Sequence, residues 1–489
     1  MSGMGAVATP ERVAFSRCRS RRIAGLALIA AVVLSGCASA TATPVHLGPS
    51  ATPTFQTALA TPTPTARPSL TPTPEPTPEA MAVPDWLKGD FDVAMGSAGP
   101  VAPADDWGYK AGTQIDDFGL DLIRRLDTSG NVCLSPTSIA IALAMVRAGA
   151  HGQTAAEMDR VLYGFGANGD GPEIAALLES LRSQVEYTDA DGNPLMPEDT
   201  PDPANPEPAL ELNLADAAFL QKGMDFKRTY LDSLASNFGA GAGQLDFAAD
   251  PEAARKAIND WAGKQTRGRI PEALGPNDID TSARIALANA IYLKAGWEYQ
   301  FDPAKTANRT FTTASGAKRS VPTMANTADL NFVATKSYQA VDLPYAGSLV
   351  MTVVMPTDMA SFLAKLTADG LNKIVMSENE SDLDLTLPRF SIESRFQLAD
   401  ALSSMGMPSV FDGALADLSG ISDTRLYLSR VVHMANIDVV EDGTTAAAVS
   451  VAVGSTTGGG GIPPHARMNV NRPFAYFIRD RMSGAFLFM

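Results

Sequence analysis

Hydrophobic and polar positions divide the chain into three regimes. Arg17, Arg19, Arg21 and Arg22 precede an apolar run from Ile23 to Leu34, followed by the small residues Ser35 and Gly36. That order is the n-region, h-region and cleavage site of an export signal, and the run is shorter than the ~20 residues that span a bilayer. Periodicity then disappears. From Thr41 to Ala80, Thr and Pro fill 21 of 40 positions, so no core can form. A stiff spacer of ~3 Å per residue, on the order of 100 Å in all, is expected there. Pattern returns near Ala111. Asp116 to Leu126 places apolar residues at helical spacing, Ser138 to Val146 is apolar all round and predicts a fully buried helix, and Pro251 to Gln265 predicts another helix. Leu349 to Met355 and Asp382 to Leu387 read as strands. Helices early and strands later predict an α+β architecture. Thr188 to Pro208 is acidic and Pro-rich and is expected to be a solvated surface insertion.

Composition narrows the function classes. The chain has 489 residues, of which 45 % are hydrophobic, enough for a large core. Its net charge of −16 argues against a nucleic-acid binder, which needs a basic footprint. Four histidines and three cysteines leave little for a metal site, and no CxxC, HExxH, GxxxxGK[ST] or GxSxG occurs. No cofactor is expected. Leu34-Ser35-Gly36-Cys37 resembles a bacterial lipobox, which makes Cys37 a lipidated N-terminus; an ordinary signal peptide is the simpler alternative. Either places the mature protein outside the cytoplasm, lipid-anchored on the outer side of the membrane or extracellular. With Cys18 removed and Cys37 lipidated, Cys133 is the one remaining thiol, and no intramolecular disulfide can form. The expected organisation is a leader at 1–37, a tether at 38–107 and one folded domain at 108–489.

Six strings now carry a resemblance. They are Asn131-Val132-Cys133-Leu134-Ser135-Pro136-Thr137-Ser138; Ile258-Asn259-Asp260-Trp261 with Thr266-Arg267-Gly268-Arg269-Ile270; Asn289 to Trp297 with Phe301; Val341-Asp342-Leu343-Pro344-Tyr345; Leu387-Pro388-Arg389-Phe390; and Asn471 to Asp480. In this order they resemble the serpins. Arg269 stands where the family usually has Lys and Met434 where it often has a basic residue, and the last strand is expected to be short. The resemblance implies the serpin fold: a large central β-sheet with additional sheets, about eight to nine helices packed on them and an exposed reactive-centre loop at 441–464.

That loop opens with Glu441-Asp442-Gly443-Thr444-Thr445-Ala446-Ala447-Ala448-Val449-Ser450, similar to the hinge of inhibitory serpins. The resemblance implies an inhibitor that offers a bait bond, is cleaved, and traps a serine protease as an acyl-enzyme while the loop enters the main sheet. Ser135, Ser138, Asn289 and His433 match the family's shutter, a polar cluster under the place where the strands part. Trp297 matches the position where insertion begins. Counting sixteen residues on from Glu441 puts the bait bond at Thr457-Gly458; counting back from Asn471 gives Ile462, which precedes Pro463. A small residue before the bond points to an elastase-like or subtilisin-like partner, and the protein is expected to be a monomer. The alternatives are a non-inhibitory serpin serving as carrier or scaffold, and a hydrolase using Ser135 or Ser138 with His433 as base.

The residues themselves support a loop that can become a strand. Glu441 to Ile462 contains no proline, so every backbone N–H can donate. Thr444, Ala446, Ala448 and Ser450 share one uniformly small face, and the valines lie on the other. Ordering the strand costs about 1–2 kcal/mol per residue, and net hydrogen bonds return only about 0.5–1.5 kcal/mol each. Apolar burial and strain in the uncleaved form must supply the difference. A bulky or charged inward residue at Thr444 or Ala446 is therefore expected to slow insertion, and a tenfold slowing takes only about 1.4 kcal/mol.

Overall fold

In a computed structural model, the described residues are 82–97, 108–167, 171–182, 186–187, 208–345, 347–444 and 464–489. The chain divides into two units, Met1–Pro74 and Glu75–Met489, and all described residues lie in the second. The leader with Cys37, most of the tether, residues 188–207 of the acidic insertion, and the loop from Thr445 to Pro463 lie outside the described residues.

The described residues form nine α-helices: α1 (Tyr109–Ile123), α2 (Pro136–Arg147), α3 (Gly152–Val161), α4 (Gly171–Arg182), α5 (Arg228–Ser233), α6 (Pro251–Gln265), α7 (Met359–Lys365), α8 (Ala368–Met376) and α9 (Ala399–Met405). The strands are β1 (Asp92–Ala94), β2 (Glu186–Tyr187), β3 (Pro208–Gln221), β4 (Ala242–Leu245), β5 (Ile285–Gly296), β6 (Ala307–Thr312), β7 (Lys318–Ala334) and β8 (Tyr338–Pro344). They continue as β9 (Leu349–Pro356), β10 (Asn379–Pro388), β11 (Phe390–Gln397), β12 (Arg430–Val440), β13 (Gly443–Thr444), β14 (His465–Asn469), β15 (Ala475–Asp480) and β16 (Phe486–Phe488). The central sheet runs β1-β4-β3-β5-β13-β12-β11, with β2 added to β3; the other runs β14-β10-β7-β8-β9-β15-β16, with β6 added to β7.

Local chemistry sets the elements that matter for function. Helix α2 is buried at every position and touches β3, β5 and β16, which explains its apolar sequence. Ser135 caps it by accepting from the Ser138 N–H, and Pro136 occupies the first turn, where no donor is missed. Asp250 caps α6 in the same way through Ala253 N–H, with Pro251 next. Helix α1 starts seven residues before the expected Asp116 and stops at Ile123. Its glycines hid the periodicity and have a packing reason: a Cβ on Gly112 would lie 2.1 Å from the Ser483 carbonyl oxygen, and one on Gly119 would lie 2.5 Å from Pro136 Cγ.

The segment 82–97, assigned to the tether from its sequence, carries structure of its own. Strand β1 pairs antiparallel with β4 at the sheet edge, from Asp92↔Gln244 to Ala94↔Ala242. Leu87 is wholly buried in the apolar cluster beneath α6, and the Phe91 ring meets Phe219 edge-on at 5.0 Å.

Candidate functional site: a sheet parted by its own loop

Strands β5 and β12 are parallel neighbours, and their direct pairing runs only from Arg430↔Ala286 to Met434↔Ala290. Above it, the chain leaves β12 at Val440, turns through Glu441 and Asp442, and comes back between the two strands as β13. Gly443 and Thr444 pair with Gly296 and Ala295 on one side and with Val440 and Val439 on the other. The third and fourth residues of the candidate loop, Gly443 and Thr444, therefore already form a central strand.

Three contacts seat this hinge. Trp297 donates its indole N–H to Val440 O at 2.9 Å and its backbone N–H to Asp442 O at 3.0 Å. Its ring stacks on Tyr345 at 4.3 Å between centroids and 12° between planes, and the Tyr345 hydroxyl meets Thr444 Oγ1. Thr444 is 1 % exposed. Glu441 accepts from Arg389 Nε at 2.7 Å and from the Thr306 hydroxyl, while its carbonyl takes the Phe301 N–H at 3.1 Å. Burial works to raise the Glu441 pKa, but the hydrogen bonds from Arg389 and Thr306 and the Arg389 charge hold it below the usual carboxylate range. Gly443 adopts φ 157°, and a Cβ there would sit 2.0 Å from the Ala295 carbonyl oxygen. No other residue fits that approach.

Below the hinge, the candidate shutter residues come together at one level of the sheet. Asp216 on β3, Asn289 on β5 and His433 on β12 are register partners in sequence across the three strands. Ser135 N–H donates to His433 Nε2 at 3.0 Å, so Nε2 carries the lone pair and Nδ1–H donates to Asn289 Oδ1 at 2.8 Å. Burial without a charged partner pushes the His433 pKa down to about 3, which keeps the ring neutral. Ser138 Oγ donates to Asp216 Oδ1 at 2.9 Å. Burial raises the Asp216 pKa to about 8 against the opposing pull of the Ser138 hydrogen bond and the Arg182 charge.

This geometry disposes of the hydrolase alternative. His433 takes a backbone N–H rather than a serine hydroxyl, Ser138 is committed to Asp216, and all three side chains are sealed from solvent. Cys133 is likewise buried, with its thiol pushed up to about 12, and is unreactive. Ala446, Ala447, Ala448, Thr457 and Gly458 lie outside the described residues. Arg269 reaches Asp438 as an ion pair, and Met434 packs in the cluster beneath α6. Sequence reasoning did not single out Asp216, Arg389, Tyr345 or Thr306. Asp216 alone left a signal, an acid in the otherwise apolar stretch Leu214 to Leu220.

A sheet that admits its own loop over a buried polar cluster defines the serpins, and the chain belongs to that family: the serpin (serine protease inhibitor) pattern matches residues 113–489. Relatives include Serpin B6 of Pongo abelii, 32 % identical over 381 residues, covering 76 % of this chain and 96 % of that protein. The leukocyte elastase inhibitor of Xenopus tropicalis is 31 % identical over 385 residues, with the same two coverages. Iripin-8 of Ixodes ricinus is 34 % identical over 383 residues, covering 76 % of this chain and 90 % of its own. Among solved structures, the thermophilic serpin tengpin in its native state superposes with TM-score 0.66 at 24 % identity, covering 81 % of this chain and 96 % of its own. Thyroxine-binding globulin in complex with thyroxine gives TM-score 0.64 at 26 % identity, covering 78 % and 98 %. The α+β serpin fold is thus established, and the leukocyte elastase inhibitor among these relatives is named as a protease inhibitor.

Proposed function

We propose that this chain is an exported, membrane-tethered suicide-substrate inhibitor of elastase-like or subtilisin-like serine proteases. The observation that carries the reading is the seating of Gly443 and Thr444 as a strand between β5 and β12, which supports an entry point and a register for a loop that continues without proline to Ile462. The protease serine attacks the Thr457 carbonyl, the peptide bond to Gly458 breaks, and the released amine leaves on the C-terminal fragment with the proton the serine gave up. The ester at Thr457 remains. Freed at that end, the loop zips down between β5 and β12 and carries the acyl-enzyme away from the geometry that hydrolyses it. Lipid on Cys37 and the Thr/Pro tether hold the inhibitor at the outer face of the membrane as a monomer.

The test incubates the soluble domain with pancreatic-type elastase, subtilisin and trypsin. The expected result is a denaturation-resistant complex with elastase or subtilisin and a released peptide starting at Gly458; a peptide starting at Pro463 would move the bond. The similarity to a thyroxine-complexed globulin supports a carrier or scaffold as the second reading. Cleavage without complex, and without a gain in thermal stability, would favour it.

A further inference from the structure

The first turn of α2 holds both sides of the parting line. Ser135 binds His433 on β12, and Ser138 binds Asp216 on β3. Strands β3 and β5 share an unbroken antiparallel ladder from Leu210↔Ala295 to Leu220↔Ile285, so they move as one block when β5 leaves β12. The far end of α2's preceding turn is tied elsewhere: Leu134 exchanges two backbone hydrogen bonds with Met489, each 2.8 Å. With α2 held by those bonds to Met489, separation of the sheet would slide Asp216 past Ser138. Beside Asp216 lies a cavity of ≈ 10 Å³, lined by Leu178, Arg182, Leu214, Ile141 and Phe238 among others, with room for about one water molecule.

We propose that Asp216 gates the parting of the central sheet by proton: its neutral carboxyl keeps the β3–β5 block seated on α2, and its ionisation releases that block from β12. The inference rests on the loop-insertion reading for its biological consequence, though not for its test. An ionised carboxylate at this depth is poorly solvated, and opening lets water reach it. The groups that face it are Ser138 and Ser135 from α2, Asn289 from β5, His433 from β12, and Arg182 from the end of α4. Arg182 lines that cavity and its Nη2 donates to Phe238 O at 3.0 Å; burial holds its guanidinium below the ordinary range against the charges of Asp216 and Glu179.

Asp216 binds its proton up to about pH 8 in the closed sheet and near 3.8 when hydrated, so opening is favoured as pH rises through that window, by about tenfold per unit at most, and levels off above it. His433 works the other way. Neutral when closed and ordinary, near 6.5, when hydrated, it favours opening as pH falls below that value. The two slopes oppose below pH 6.5, and Asp216 acts alone between 6.5 and 8.

The experiment is hydrogen–deuterium exchange of the intact, uncleaved protein from pH 5.5 to 9, reading the opening equilibrium of Ile285–Gly296 and Arg430–Val440 after correction for intrinsic exchange. The wild type should open more readily by about tenfold per unit from pH 6.5 to 8 and then plateau, and Asp216→Asn should be flat over that range. Arg182→Gln removes the cation that lowers the carboxyl's pKa and should move the plateau to higher pH; it tests the same gate should Asp216→Asn fail to fold. An Asp216→Asn profile that tracks the wild type, a wild-type profile flat from 6.5 to 8, or a plateau that Arg182→Gln leaves in place overturns the proposal. No protease enters the measurement, so failure of inhibition and failure of the gate are separate results.

Discussion

Asn289 of β5 and His433 of β12 share a direct 2.8 Å hydrogen bond where the two strands pair directly, below the seated hinge. The registers set by the hinge lead to the same place. Thr444 opposes Ala295 on one side and Val439 on the other, and an antiparallel strand continued from there brings Ser450 level with Asn289 and His433 together. A strand between them separates the two by about 9.5 Å, twice the interstrand spacing, and the bond must break. Ser450, on the same inward face as Thr444, supplies a hydroxyl able to bond either partner. Ser450→Val should leave the uncleaved protein unaffected and lower the stability of the cleaved, inserted form by about 1–3 kcal/mol. Calorimetry of cleaved wild type and variant decides it; equal Tm values for the cleaved forms refute the register.

Thr444→Arg should turn inhibitor into substrate. The wild-type side chain is sealed against Tyr345, and an arginine there must either bury its charge or hold the hinge out of the sheet. Gly443→Ala should act in the same direction for a different reason, the 2.0 Å approach of the new Cβ to Ala295 O. The stoichiometry of inhibition should rise severalfold for both, and a value unchanged from wild type would contradict the hinge geometry.

Much of this was legible from the chain and some was not, for a physical reason. The bounds of α6 coincide with the reading because its start is coded locally, by Asp250 and Pro251. The buried α2 was plain from composition alone. By contrast, Arg389 was visible only as part of a short string, since its partner Glu441 lies 52 residues further on, and nothing local encodes a pairing across two elements. Segment 82–97 misled because a three-residue edge strand is too short to impose alternation. Asp216 left only the signal of an acid in an apolar stretch, and its role emerges once its neighbours Ser138 and Arg182 are known.

Glu441 should make hinge seating sensitive to acid. Its pKa is held down in the folded protein by Arg389 and Thr306 against the cost of burial, so the stabilisation is complete above about pH 4.5 and is lost as pH falls through the lower folded value. Glu441→Gln should remove that dependence and weaken the native form by about 1–2 kcal/mol, a figure kept small because Arg389 is half exposed. Limited proteolysis of the loop at pH 7 and pH 4 provides the check: the wild type should become more susceptible in acid, and Glu441→Gln should be equally susceptible at both.

The N-terminal edge gives the last prediction. Strand β1 covers the outer hydrogen-bonding groups of β4, which would otherwise be an open edge on the central sheet. Asp92 pairs with Lys222 at 2.9 Å, and the Asp232 carboxylate accepts the Ser97 N–H at 2.7 Å, so the segment is bonded to the start of the β3–β4 connection and to α5. The surface ion pair contributes little; burial contributes most. Leu87, with no exposed surface, fills space beneath α6 beside Phe219 and Trp261, and Leu87→Ala should cost about 2–4 kcal/mol by leaving a cavity there. Removing residues 1–81 should leave the Tm of the domain unchanged, whereas removing residues 1–97 should lower it by several degrees, as the loss of Leu87 and the reopened edge require. If both truncations melt together with the full-length protein, β1 is an ornament on the sheet and the boundary of the stable domain lies after it.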